Sequence, residues 1–152
     1  MKETILLFNL TNKQTRRKVE LALFPLKLRL RYIPKDQYSQ PLGALAGLGD
    51  VPPCEARYEG EELPDTMLVF AGLSDARLNQ VLSALRRSKA GIFPYKAILT
   101  PTNQFWTAPE CFAEISKEHE LMHAQAPSAP AENTGEKSTQ KLIDTFYLFK
   151  LK

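Results

Sequence analysis

Cysteine is scarce in this chain. The 152 residues hold two, Cys54 and Cys111, far apart and in no metal-ligand or redox spacing. A disulfide framework is thereby excluded, and the expectation is two reduced thiols in a cytoplasmic protein. Histidine is equally scarce, at two residues. The seven glycines form no Gly-rich phosphate loop and no nucleophile elbow, so the sequence calls for no cofactor. Long apolar runs are missing too: the one near the N-terminus, Ile5 to Leu10, is too short for a secretory h-region, and none approaches a membrane span. Neither charge sign dominates. A formal net charge of +3 does not demand a polyanionic partner, so an electrostatic argument has to rest on local clustering.

What the chain does have is self-similarity. Ile5-Leu6-Leu7-Phe8-Asn9-Leu10-Thr11 is echoed by Met67-Leu68-Val69-Phe70-Ala71-Gly72-Leu73-Ser74. Phe24-Pro25-Leu26-Lys27 is echoed by Phe93-Pro94-Tyr95-Lys96, and Pro34-Lys35-Asp36-Gln37-Tyr38 by Pro101-Thr102-Asn103-Gln104-Phe105. Three matches in one order predict a duplicated unit. So short a unit cannot bury its own apolar face, and the two should share one core.

Residues 4–10 are apolar almost throughout, as in a strand covered on both faces. Thr11 and Gln14 have capping-box spacing and predict a helix over 12–23, closed by Pro25. Leu26, Leu28, Leu30 and Tyr32 then alternate with Lys27, Arg29 and Arg31, predicting an edge strand with one wet, cationic face. Leu42, Leu45 and Ala46 suggest a short helix, and the Pro- and Glu-rich stretch 49–65 an irregular connector. The second unit predicts a strand over 67–71 and a helix capped by Ser74. Its apolar stripe is Leu78, Val81, Leu82 and Leu85, and Gly91 lies beyond its cationic last turn. A strand over 96–100 follows, and Thr107 with Glu110 opens a third helix over 108–123.

Residues 1–123 therefore read as one domain built from two repeats, 3–48 and 66–123. The fold class is α+β: two βαβ units with strands one and three interior and strands two and four at the edges, as in a ferredoxin-like sandwich with an added C-terminal helix. The alternative is an α/β fold on a four-stranded parallel sheet. Residues 124–140 have the composition of a disordered linker, and 141–152 form a short apolar tail expected to dock on the core.

Three constellations carry candidate chemistry. His119-Glu120-Leu121-Met122-His123 has the H-E-x-x-H form that places two zinc ligands on one helix face with a carboxylate to polarise water. Only Glu132 and Glu136, within the linker, offer a third ligand, and half-buried and solvated helix histidines explain the pair as well. Lys13, Arg16, Arg17 and Lys18 with Lys27, Arg29 and Arg31 suit phosphate neutralisation, but lack the interleaved aromatics of a single-strand RNA platform. The loop Pro101, Thr102, Asn103, Trp106 and Thr107 precedes a helix, where N–H groups and hydroxyls suit a small anionic ligand; capping and turn chemistry account for the same residues.

The runs Met67 to Ser74 and Lys96 to Asn103, with Trp106-Thr107, resemble a small bacterial family catalogued as a domain of unknown function, best over residues 65–120. Tyr38 to Gly47 resembles an N-terminal signature of its fuller-length members. The resemblance implies no activity, cofactor or catalytic residue. The expectation is a binding or regulatory module for a small ligand or protein, with the Pro101 to Thr107 loop near its counterpart at Pro34 to Gly43. The alternatives are nucleic-acid binding through the basic helix and strand, and zinc-dependent hydrolysis.

Overall fold

A computed structural model describes residues 2–125, of which 122–125 are described by backbone alone. The expectations of a linker and a docking tail beyond residue 125 lie outside the described residues.

Two strands buried at every position form the centre of the sheet: β1 (Thr4–Phe8) and β3 (Met67–Ala71). They pair antiparallel, with Leu6 opposite Val69. β2 (Arg29–Ile33) lies parallel beside β1, and β4 (Tyr95–Ile98) parallel beside β3, giving the order β2-β1-β3-β4. The fold is thus α+β on a four-stranded mixed sheet, with β1 and β3 interior and β2 and β4 at the edges. The all-parallel alternative fails at the antiparallel β1–β3 pair. The split arrangement of a ferredoxin-like sandwich is also not the one found, because each unit's second strand lies directly beside its own first strand. Apolar patterning separates interior from edge strands, and it is blind to an exchange of the two edges.

Side-chain alternation divides the core in two. Ile5, Leu7, Leu68 and Phe70 face α1 (Lys13–Leu23) and α3 (Asp75–Arg87), meeting Val19, Leu23, Leu78, Val81, Leu82 and Leu85. Leu6, Phe8, Met67 and Val69 face the opposite way, toward α2 (Leu42–Leu45), α4 (Ala108–Gln125) and the connector. There Leu42, Leu45, Ala108, Cys111, Phe112 and Ile115 complete the packing around Tyr38. Full burial of each large side chain on either face contributes about 1.5–3 kcal/mol, and the second helical layer explains why β1 and β3 have no wet face.

The caps follow local chemistry with one displacement. Ser74 accepts from the Arg77 N–H at 3.2 Å, and Thr107 and Glu110 form their box. At α1, however, the cap is Asn12 rather than Thr11, with Oδ1 accepting from Thr15 N at 3.0 Å; the carboxamide at the next position outcompetes the hydroxyl. After α3 the first left-handed residue is Lys89 (φ 59°), two places before Gly91 (φ 120°). Pro25 and Leu26 belong to a 3-10 turn ending in Lys27 at φ 56°, so β2 starts three residues later than the alternation suggests.

Candidate functional site

The loop singled out from sequence is folded around its own polar groups. Asn103 is fully buried; its Oδ1 accepts from Thr100 N at 2.7 Å and its Nδ2 donates to Ile98 O at 2.8 Å. Asn103 N donates to Thr100 Oγ1, and Thr107 N and Oγ1 each donate to Glu110 Oε1 at 2.9 Å. Pro101 and Thr102 are exposed at the tip, and Trp106 packs half-buried against the core. The counterpart loop lies alongside: Leu42 N donates to Trp106 O at 2.8 Å, and a Cβ on Gly43 would come within 3.1 Å of Gln104. The two loops meet in a packed seam.

The H-E-x-x-H form falls on the last turns of α4. His119 is half-buried with its ring 5.4 Å from that of Tyr95, Glu120 is exposed, and the side chain of His123 lies outside the described residues. Among the described residues no group of three His, Cys, Asp or Glu is arranged to hold a metal ion.

The basic constellation is divided by the sheet. Leu30 and Tyr32 face the α1/α3 side, so Arg29 and Arg31 project to the other, where the Arg31 guanidinium donates to Leu45 O. Arg16 is also engaged, with its Nε on Leu10 O and its guanidinium 4.3 Å over the Tyr32 ring. Lys13, Arg17 and Lys18 remain exposed on α1.

What replaces the divided cluster comes from α3. Its last turn exposes Arg86 and Arg87, followed by exposed Lys89. These residues edge an open groove of about 1260 Å³ that runs along α3 past Ala22, Pro25 and Leu26 to Gly91, Ile92 and Phe93. Leu82, Leu85 and Phe93 supply its apolar floor, and Lys96, 5 % exposed, contributes its ammonium group, which donates to Phe93 O. Ile92 on the groove is 78 % exposed, and Phe24, at the end of α1 beside lining Pro25, is 81 % exposed. In sequence Ile92 is a single apolar residue after a helix and Lys96 opens a strand; the packing of α1 against α3 brings both to the lining of one groove with Pro25 and Leu26.

Charge is segregated by layer. Ten cations belong to the α1/α3 side, from Lys13 to Lys96, against Glu3, Glu20 and Asp75. The other side holds eleven acids, from Asp36 to Glu120, against Lys2, Arg29, Arg31, Lys35, Arg57 and Lys117. A whole-chain charge of +3 conceals this opposition.

No described helix is long and apolar enough to cross a membrane. No curated protein and no solved structure matches the chain. Residues 66–122, which carry β3, α3, the groove's cationic rim and α4 as far as Met122, match the family model described as Domain of unknown function (DUF3783).

Proposed function

We propose that the protein is a binding module that holds an acidic, amphipathic protein segment in the groove along α3. The observation that carries this reading is an open apolar floor (Leu82, Leu85, Phe93) edged by Arg86, Arg87 and Lys89, with Ile92 exposed at its margin. Apolar anchors give such a surface its affinity, and a cationic rim selects acidic partners and speeds their encounter. The groove exceeds the usual size of an enclosed small-molecule pocket, about 300–1,000 Å³, and opens to solvent, which favours a polypeptide segment. In this reading Asn103 and Thr107 shape the loop seam and leave partner binding to the groove. The two βαβ units are read as copies of one ancestral unit, a reading supported by left-handed Asn9 and Gly72 at the end of each first strand.

The test is fluorescence anisotropy with a labelled Glu/Leu-rich helical peptide and, separately, a single-stranded DNA oligomer, at about 50 and about 250 mM salt. The reading expects the peptide to bind, more weakly at high salt, and to lose affinity with Ile92→Ser and with Arg86→Glu/Arg87→Glu. Absence of peptide binding overturns it. So does DNA binding indifferent to Ile92→Ser, which would transfer the cationic face to a phosphate backbone.

A further inference from the structure

We infer that the acidic segment taken by the groove is presented by a second copy of this chain, through the outer face of α4. The inference rests on the groove reading above and names its partner. Helix α4 spans Ala108–Gln125 and buries Ala108, Cys111, Phe112 and Ile115 against the sheet. Exposed Glu110 and Glu114 and half-buried Glu118 recur every fourth residue away from that stripe, outnumbering the exposed Lys117 beside them, and positions four apart share one face of a helix; Glu110 also accepts from Thr107 at the cap. Three residues past Glu118 comes Leu121, 49 % exposed. The outward side of α4 is therefore an acidic helical stripe ending in an apolar residue, the shape and charge that a groove with Arg86, Arg87 and Lys89 on its rim and Ile92 at its margin would take.

Geometry decides the kind of assembly. The groove and α4 lie on opposite faces of the sheet, so one copy cannot bring them together. A two-fold contact through matching faces would set cations against cations or acids against acids. Complementary contact is head to tail, with the α4 of one copy in the groove of the next. Such a contact uses two different patches and leaves a free groove at one end and a free α4 at the other, so association continues beyond a dimer. The segregated charge also predicts that salt dissolves the assembly.

The experiment is sedimentation velocity on the full chain over a range of concentrations, at about 50 and about 300 mM salt. The expected result is a sedimentation coefficient that climbs with concentration at low salt and stays at the monomer value at high salt. Two charge-reversed proteins, Arg86→Glu/Arg87→Glu/Lys89→Glu and Glu114→Lys/Glu118→Lys, the second of which keeps the Glu110 cap of α4, each sediment as monomers at low salt. Mixing them restores a sedimentation coefficient that climbs with concentration, because each reversed patch meets its complement on the other protein. Circular dichroism melts matching the parent establish that both variants are folded before mixing. A parent monomeric at every salt, a variant that still self-associates, or folded variants that ignore each other would each overturn the inference. If the parent stays monomeric while the acidic peptide still binds in an Ile92-dependent way, self-docking alone fails; if the peptide does not bind either, the groove reading falls with it.

Discussion

Thr100 and Asn103 hold each other by reciprocal bonds: Thr100 N donates to Asn103 Oδ1 at 2.7 Å, and Asn103 N donates to Thr100 Oγ1 at 3.1 Å. Both are buried, and the Asn103 carboxamide also satisfies Ile98 O at the end of β4. Asn103→Ala leaves the Thr100 N–H and the Ile98 carbonyl without these partners, so a loss of about 2 kcal/mol or more in chemical denaturation is expected. Groove binding should survive in the fraction that remains folded.

Gly43 tests whether the two loops meet as described. A Cβ there would come within 2.8 Å of Val51 Cγ2 and 3.1 Å of both Gln104 Cβ and its carbonyl oxygen. Gly43→Ala should therefore destabilise by about 1–3 kcal/mol through overpacking. A thermal melt unchanged by the substitution would show that the seam is looser than these distances.

The two thiols should behave differently. Cys111 is fully buried, and burial, with a smaller contribution from Glu114, pushes its pKa up to about 12, whereas Cys54 is partly exposed. Alkylation of native protein followed by mass spectrometry should label Cys54 promptly and Cys111 only once denaturant is added. The raised pKa also has a stability consequence. Below the ordinary thiol range the contribution is complete, and it is lost as pH rises toward the folded value, because the unfolded chain ionises first.

Glu3 and Arg77 form a bidentate pair, with Nε and one terminal nitrogen 2.9 Å from the two carboxylate oxygens. The hydrogen bond from Arg77 is the main cause that holds the Glu3 carboxyl below its usual range, with the guanidinium charge adding to it and desolvation opposing. Its folded pKa is depressed, so the contribution is present above the unfolded value of about 4.3 and lost as pH falls through the folded one. The stability gap between parent and Glu3→Gln should therefore be open at neutral pH and close in acid. A gap that does not change with pH would remove the ionic pair from the account.

The parts legible in the sequence are those set by local chemistry or by total burial. Met67 to Ala71 reads as a fully covered strand because no polar residue interrupts it, and Ser74 and Thr107–Glu110 announce their helices through hydroxyl and carboxylate spacing. The order of the edge strands was not legible, since the same apolar pattern fits either edge. Arg31 misled for a related reason: alternation marks its side of β2 as wet, and α2 then covers it with the Leu45 carbonyl. Leu78, Val81, Leu82 and Leu85 identified the buried stripe of α3, but the groove needs Pro25 from one unit and Phe93 from the other. That juxtaposition is tertiary, and no spacing encodes it.

The central claim is that partner binding belongs to the α3 groove and that the Pro101–Thr107 loop is structural. The most direct measurement is an amide chemical-shift map of the full chain titrated with the acidic helical peptide at low salt. The account predicts perturbations concentrated at Arg86, Arg87, Lys89, Gly91, Ile92 and Phe93, with Thr102, Asn103, Trp106 and Thr107 unmoved. Shifts centred on Thr102 to Thr107 with the groove silent would contradict it.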